Sequence, residues 1–238
     1  MKSLLKIGLL SLVIVVFSST STYAKKYIRG NGDIKKETRN VRSFDALDIS
    51  SAFEVELTQS DNESLVIEAD ENLLDQIFTE VVGGTLKIYT KGNIRNVNTM
   101  KAYISFKMID EIELSGACEI KGMNKMKFND FVIDASGASE VNLNLTARKM
   151  SLDLSGATEI YLIGFADEFI IDVSGASEIK ALDFEVKNCR VDASGASSIK
   201  IFATENLDIE ASGATTVRYK GKPSVDIDAS GASSVRRY

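Results

Sequence analysis

The tripeptide Ser-Gly-Ala occurs seven times between residue 115 and the end of this 238-residue chain and returns at a nearly constant interval. Its glycines are Gly116, Gly137, Gly156, Gly175, Gly195, Gly213 and Gly231. Successive glycines are 21, 19, 19, 20, 18 and 18 residues apart. A period of about 20 residues with one glycine per unit is typical of a solenoid, whose units bury their apolar faces against one another. The repeat therefore predicts seven stacked coils over residues 111–238.

The residues on both sides of each tripeptide alternate between apolar and polar, which predicts β-strands. Ile133 and Ala135 precede one tripeptide, and Val141 follows it at the same parity. Two such strands per coil build an all-β fold, a single-stranded parallel β-helix, and the crossover rule for parallel strands favours the right-handed form. Because glycine has no Cβ, the seven glycines are predicted to form the corners, where the chain bends and coils approach closely.

Residues 44–110 are less regular and predict atypical coils at the N-terminal end of the domain, which extends over 44–238. The segment from Phe44 to Leu57 resembles a degenerate coil with Ser50-Ser51-Ala52 at its corner. After it, Asp70 is a good N-cap residue for a short capping helix that ends before Gly83-Gly84. Its apolar residues at helical spacing are Leu73, Leu74, Ile77, Phe78 and Val81.

The N-terminus predicts export. Residues 1–24 contain Lys2 and Lys6, an apolar run and a small-residue end, which together are typical of a secretory signal sequence, and the run is short for a membrane span. The expected location is the periplasm, the outer-membrane surface or the medium. Residues 25–43 form a basic arm, which we interpret as a solvated tail. Without the signal the formal charge is −8, which argues against a nucleic-acid partner.

An acidic residue stands two positions before each Ser-Gly-Ala serine. Stacked coils would place these carboxylates about 4.8 Å apart, where neighbours repel by roughly 1 kcal/mol in water. One interpretation is that each carboxylate accepts a backbone N–H at the corner, as in an Asx turn. The alternative is that adjacent carboxylates bind Ca²⁺, although the repeat lacks the known calcium-binding pattern. The column includes Asp134, Asp153, Asp172 and Asp192.

A second polar column follows each corner, and both columns together are the predicted ligand-binding face. In the earlier coils it consists of Glu119, Glu140, Glu159 and Glu178. In the last three coils the acid is replaced by a hydroxyl residue, while a basic residue two positions later is retained in Lys200, Arg218 and Arg236. This face becomes basic toward the C-terminus, which suits an anionic glycan or a protein partner, or simply a solvated charge ladder.

Catalytic chemistry has little support in the sequence. The chain contains no histidine, which removes Ser-His and Cys-His nucleophiles and His-ligated metals. A polysaccharide-acting enzyme would need a carboxylate pair such as Asp153 and Asp172, but an active site should interrupt the repeat. The two cysteines, Cys118 and Cys189, are several coils apart and beyond disulfide reach; we expect a serine-like corner residue and a buried hydrophobe.

These features together resemble a family of exported bacterial proteins described as auto-transporter adhesins with a head GIN domain. The resemblance rests on the signal-like start, the Phe44 to Leu57 segment, Glu71-Asn72-Leu73-Leu74 with Gly84-Thr85-Leu86-Lys87-Ile88-Tyr89, and the serial Asp-x-Ser-Gly-Ala-Ser phrases. It implies a parallel β-helix shaped like the pectin-lyase solenoids without their catalytic residues, and a role in adhesion. It supplies no residue-level site.

The sequence therefore favours a non-catalytic module that presents a repetitive face to a glycan or protein surface. Two alternatives stay open. One is the polysaccharide-acting enzyme, and the other is a structural envelope protein that self-associates through its last coil, since no sequence after residue 238 covers that coil. No cofactor is expected, apart from the Ca²⁺ alternative above.

Overall fold

The computed structural model describes residues 27–238, so the predicted signal sequence lies outside the described residues. It contains a 3₁₀ helix, Glu71–Gln76, and twenty β-strands. The strands are β1 Tyr27–Arg29, β2 Ile34–Arg39, β3 Ala46–Ser51, β4 Glu54–Gln59, β5 Ser64–Asp70, β6 Ile77–Val82, β7 Thr85–Thr90, β8 Asn93–Arg95, β9 Met100–Phe106, β10 Glu111–Gly116, β11 Glu119–Gly122, β12 Met126–Lys127, β13 Asp130–Ala135, β14 Glu140–Leu154, β15 Glu159–Val173, β16 Glu178–Ala193, β17 Ser198–Ala211, β18 Thr216–Lys220, β19 Ser224–Ala229 and β20 Ser234–Arg237.

The coils stack as two parallel faces that meet at the Ser-Gly-Ala corners. The first face, before each corner, contains β7, β3, β10, β13, the C-terminal halves of β14 to β17, and β19. The second face, after each corner, contains β9, β4, β11, the N-terminal halves of β14 to β17, β18 and β20. The chain is therefore a single-stranded parallel β-helix, and the predicted fold class is confirmed.

The inward-facing columns fill the space between the two faces. On the second face, Ile120, Val141, Ile160, Ile179, Ile199 and Val217 are in register and almost completely buried. Because every coil supplies the same small set of apolar residues, each one buries them against the coil before and the coil after. The last coil lacks the second neighbour, so Ile227 is 45% exposed.

The corner glycines are required mainly by close stacking. A Cβ added to Gly156 would lie 1.9 Å from the carbonyl oxygen of Gly137, and one added to Gly175 would lie 2.0 Å from that of Gly156. The left-handed backbone that we expected occurs at Gly116, Gly195, Gly213 and Gly231, but not at the three central corners. The same carbonyls accept the next coil's alanine N–H, at 3.0 Å from Ala157 to Gly137 and from Ala176 to Gly156.

A column of buried serine and threonine residues lies directly after the corner alanines. Ser177 donates its hydroxyl to the carbonyl of Gly156 at 3.2 Å and accepts the N–H of Thr158 at 3.1 Å. Cys118 takes the same position in its coil, as its predicted serine-like role requires, and its N–H donates to the hydroxyl of Ser139. Cys118 and Cys189 are both free and buried. Burial raises the pKa of both thiols.

The predicted capping helix is largely wrong. Only residues 71–76 are helical, and Ile77, Phe78 and Val81 lie on β6, which pairs antiparallel with β7. Gly83 and Gly84 both have positive φ, 62° and 92°, which is the geometry of a tight two-residue hairpin turn. The hairpin turns this segment into a strand that covers the N-terminal end of the first face.

The N-terminal coils do not stack in chain order. The coil of β3 and β4, which is the degenerate coil predicted from Phe44 to Leu57, lies between β7 and β9 on one side and β10 and β11 on the other. Beyond β9, strands β5 and β2 continue the second face with antiparallel pairing. The described part of the basic segment, residues 27–43, is thus not a solvated tail, because Ile34–Arg39 is a strand of the domain sheet.

Candidate binding faces

The predicted acidic column is a continuous line on the first face. The register places Asp134, Asp153, Asp172 and Asp192 directly opposite one another in successive coils. Glu113 and Asp48 extend the line toward the N-terminus, where Asp48 meets Lys87 at 2.5 Å. Lys87 was missed from the sequence because β7 carries no Ser-Gly-Ala phrase. It ends the column with an ion pair.

The interpretation of this column as a series of Asx turns is wrong. Within residues 27–238, neither the Asp134 carboxylate nor the Asp172 carboxylate accepts a hydrogen bond. Burial and the neighbouring carboxylate of Asp153 raise the pKa of Asp134, and burial with Asp153 and Asp192 raises the pKa of Asp172. These carboxylates thus meet one another without an internal partner, and their oxygens are free to bind a ligand from outside.

The glutamate column on the second face differs, because its last two members have ion-pair partners within the protein. Glu140, Glu159 and Glu178 are in register, and Lys180 lies beside the last two. Lys180 pairs with Glu159 and, at 3.4 Å, with Glu178, which also pairs with Lys200 at 2.9 Å. Hydrogen bonds from Lys180 and Tyr161 lower the pKa of Glu159, and hydrogen bonds from Lys200 and Lys180 lower the pKa of Glu178.

At the N-terminal end this glutamate column ends as the aspartate column does. Glu119 lies opposite Glu54 in the next coil, and Lys101 contacts Glu54 at 2.5 Å. Each acidic column is therefore closed at the capping end by one lysine, Lys87 on the first face and Lys101 on the second. The predicted ligand face thus divides into an aspartate column without internal partners and a glutamate column in which Glu159 and Glu178 are paired. Within residues 27–238, Glu119 and Glu140 have no ion-pair partner.

The last three coils of the second face are different again. Ser198, Thr216 and Ser234 replace the glutamates, and Lys200, Arg218 and Arg236 follow one another in register. In the part of the chain that the structure describes, Lys200 is the last cation of this row with an ion-pair partner. Arg218 and Arg236 project from the surface with their charges uncompensated.

Two surface depressions accompany these rows. The first, of about 390 Å³, is lined by Tyr161, Ile163, Lys180, Lys200 and Tyr238, among others. It joins the ion-pair ladder of the central coils to the basic end of the second face.

The second depression, of about 590 Å³, lies along the outer edge of the first face. It is lined by Asn188, Arg190, Asn206 and Asp208, among others. Asn206 donates to Asn188 at 2.7 Å, so the amides form a short ladder. Both depressions are shallow surface features between coils.

Within residues 27–238, no group of three or more Cys, Asp or Glu side chains converges in a way that would hold a metal ion. In the same residues, no helix has the length and apolar character needed to cross a membrane. The geometry thus offers extended polar rows on two flat faces.

The fold and the surface together define the class of protein: it is a parallel β-helix with repeated polar rows on open faces. The family model described as "Putative auto-transporter adhesin, head GIN domain" matches residues 43–223. The chain belongs to this family, which confirms the resemblance seen in the sequence. No protein of curated function matches the chain.

Solved structures share the fold. A "putative lipid binding protein" from Parabacteroides distasonis ATCC 8503 is 26% identical with a TM-score of 0.71, and the match covers 90% of this chain and all of that one. A "putative adhesin" from Bacteroides fragilis NCTC 9343 is 21% identical with a TM-score of 0.80 over 89% of this chain and all of that one. Another from Parabacteroides merdae ATCC 43184 is 22% identical with a TM-score of 0.66 over 89% and 99%.

Proposed function

We propose that this protein is an exported, non-catalytic adhesion module that holds an extended partner, a glycan or a protein surface, against the outer faces of its solenoid. The observation that carries this proposal is the aspartate column on the first face. Asp134, Asp153, Asp172 and Asp192 form one row of carboxylates that hydrogen bonds within the described chain do not satisfy. A flat row of identical polar groups matches a repetitive or extended partner better than a compact small molecule.

Membership of the adhesin family supports the same role. The signal-like residues 1–24 support a location beyond the cytoplasmic membrane, in the periplasm, at the outer-membrane surface or in the medium. The aspartates on the first face and Arg218 and Arg236 on the second face both offer contact surface, and strand register holds their spacing fixed. A rigid array of this kind needs little ordering on binding, which favours affinity for a partner of matching repeat.

Adhesion of cells tests the proposal. A deletion strain of the producing bacterium should lose attachment to a surface that wild-type cells colonise, and the unaltered gene should restore it. A gene carrying Asp153→Asn and Asp172→Asn should restore export but not full attachment. Equal attachment by the deletion strain on every surface tried, with the protein demonstrably made and exported in the wild type, would contradict the proposal.

The enzyme alternative makes a different prediction. Asp153 and Asp172 lie opposite each other in adjacent coils, but the same arrangement continues to Asp134 and Asp192, so no local break in the repeat distinguishes a catalytic pair. Reducing-end or unsaturated-product assays on acidic and neutral polysaccharides decide the matter. If the protein cleaves a polysaccharide and Asp172→Asn abolishes that cleavage, the function is catalysis and not adhesion.

Structural self-assembly is a second candidate because the last coil is incompletely covered. Ile227 is 45% exposed, and β19 and β20 each pair on one side only. Acidic Asp226 and Asp228 lie on β19, and basic Arg236 lies on β20, so a two-fold pairing of β19 with β20 of a second copy would bring opposite charges together. Light scattering over a hundredfold concentration range would show this dimer, and Ile227→Lys should dissociate it.

A further inference from the structure

The C-terminal coils carry a local positive charge on a protein whose formal net charge is −6. Residues 216–238 contain five basic and two acidic residues, and the two acids, Asp226 and Asp228, lie on the first face. The second face at this end is therefore purely basic. We define the basic strip as the following six residues of its two outward columns. They are Ser198, Thr216, Ser234, Lys200, Arg218 and Arg236.

The strip begins where the internal ion pairs stop. Glu178 is the last acid of its column and holds both Lys180 and Lys200. In the next three coils the register positions of this column are Ser198, Thr216 and Ser234. Arg218 and Arg236 therefore face water and each other without a compensating acid in the described chain. Like charges held in adjacent coils attract an external anion that bridges them.

Each coil of the strip repeats the same two groups. A hydroxyl residue stands beside a cation, and strand spacing sets successive pairs about 4.8 Å apart. This distance is close to the length of one sugar residue in an extended polysaccharide. Hydroxyls suit the hydroxyls of a sugar, and the guanidinium fork of arginine suits a carboxylate or sulfate, which it can bind through two parallel hydrogen bonds.

Aromatic rings flank the strip where a sugar ring would need them. Tyr238 is 65% exposed and, with Tyr161, lines the 390 Å³ depression beside Lys180 and Lys200. A tyrosine presents a rigid apolar face and a hydroxyl at its tip, a combination that packs on a sugar ring and still hydrogen-bonds. The ring of Tyr161 already has the Lys180 ammonium 4.3 Å from its centroid, which keeps it in place.

We propose that the basic strip binds an acidic polysaccharide that lies along the solenoid axis, with one anionic sugar opposite each of the last coils. This inference rests on the proposed adhesive function and adds a second contact surface, the basic strip on the second face, together with the class of partner that it holds. A linear row of cations on a flat sheet matches a linear polymer. A membrane surface would need a broad apolar patch to insert, whereas Ile163 and Tyr238 are the large exposed apolar side chains at this depression.

The test compares two polymers that differ only in charge. Polygalacturonate has one carboxylate on every sugar, and its fully methyl-esterified form has the same backbone without the charges. Binding of the full-length protein, purified after export, is measured by biolayer interferometry against each immobilised polymer at several salt concentrations. We expect saturable binding to polygalacturonate that weakens as salt increases, and binding to the ester at least tenfold weaker.

A pair of matched variants locates the site. Arg218→Gln with Arg236→Gln removes two charges from the strip and should weaken binding to polygalacturonate about tenfold. Lys121→Gln with Lys125→Gln removes two charges from exposed positions several coils away and should leave binding unchanged. Circular dichroism checks that both variants keep the β-sheet fold, which these exposed substitutions are not expected to disturb.

The outcomes separate this inference from the proposed function. Equal binding by the two double variants, or equal binding to polygalacturonate and its ester, would overturn the strip as the site for acidic polymer. Binding to vesicles of phosphatidylglycerol but to neither polymer would overturn it in favour of a membrane surface. Loss of cell attachment on deletion, combined with no binding to polygalacturonate, would leave adhesion standing and reject the acidic polysaccharide.

Discussion

The backbone of Gly156 packs so closely on that of Gly137 that a Cβ added to Gly156 would lie 1.9 Å from the Gly137 carbonyl oxygen. The same oxygen accepts the N–H of Ala157 at 3.0 Å. The repeat phrase is therefore a steric requirement of stacking, since any side chain at the glycine would push two coils apart and break that hydrogen bond. The corner fixes the register of both faces and hence the spacing of every outward row.

Gly156→Ala should lower the free energy of unfolding by about 3 kcal/mol, because the new methyl group overlaps backbone that cannot move aside. Gly231→Ala, in the last coil, is the matched control. There the nearest atom to a new Cβ is the Gly213 oxygen at 2.9 Å and φ is +71°, so the loss should be about 1 kcal/mol. Urea unfolding measures both, and equal losses would show that stacking is not the reason for glycine.

Ser177→Ala should cost about 1 to 3 kcal/mol of unfolding free energy, because the buried N–H of Thr158 loses its acceptor. Thr158→Val is the contrasting change in the neighbouring coil. The Thr158 hydroxyl is buried and finds no hydrogen-bond partner among residues 27–238, so an isosteric valine should leave stability unchanged or raise it slightly. Thermal unfolding of the two variants checks the order, and a larger loss for Thr158→Val would contradict it.

Asp70 holds the N-terminal segment to the rest of the cap. Its fully buried carboxylate accepts N–H groups of Gly32 at 2.7 Å and Asn98 at 2.9 Å, and the side-chain amide of Asn98 at 2.7 Å. Burial alone would raise the pKa of Asp70, but these donors hold it below the usual value. Its contribution to stability is thus present above the pKa that this carboxyl has in the unfolded chain and is lost as pH falls through the lowered pKa of the folded state.

Asp70→Asn should lower the free energy of unfolding by about 2 kcal/mol. The charged acceptor becomes neutral, and one of its two accepting oxygens is replaced by an NH₂ group that can only donate. Hydrogen exchange followed by mass spectrometry should show faster exchange over residues 27–39 and unchanged exchange in the central coils. Asp61→Asn, at an exposed loop position, is the control. Uniform loss of protection along the whole chain would contradict a local role for Asp70.

The aspartate column should destabilise the fold in a pH-dependent way. The pKa of Asp172 is raised by burial and by the carboxylates of Asp153 and Asp192. As the pH falls, the Asp172 carboxylate therefore takes up its proton at a higher pH in the folded state than in the unfolded state. Stability contributed by this group therefore decreases as pH rises through the raised pKa. Asp172→Asn should raise the melting temperature at pH 7 by on the order of 1–2 °C and leave it unchanged at pH 3. Equal shifts at the two pH values would contradict unrelieved repulsion.

The central coils were predicted correctly from the sequence because each coil repeats the same local sequence pattern. Val141 and Ile160 are in register since each stands four residues after its corner glycine, and the aspartate row follows from the same count. The sequence pattern did not show whether a polar side chain would find a hydrogen-bond partner. Asp134 and Asp172 resemble turn-forming residues, but strand geometry on the first face directs them outward, away from backbone donors.

The N-terminal cap was harder to predict for two physical reasons. Ile77 and Val81 are four residues apart, a spacing that fits one face of a helix and also alternate positions of a strand, and the Gly83-Gly84 turn decides for the strand. The stacking of β7 and β9 outside β3 and β4 leaves no local mark, since those strands lack the corner phrase. The ion pairs of Lys87 and Lys101 depend on that stacking order.

A glycan and surface-protein array, probed with the full-length exported protein in millimolar Ca²⁺ and again in chelator, tests whether the outer faces of the solenoid are adhesive. We predict saturable binding to at least one extended partner, with no change in chelator. Arg218→Gln with Arg236→Gln should weaken binding to an acidic glycan, and Asp153→Asn with Asp172→Asn should weaken binding to a partner that contacts the aspartate column. A folded protein that binds nothing in either condition would contradict an adhesive function for these faces.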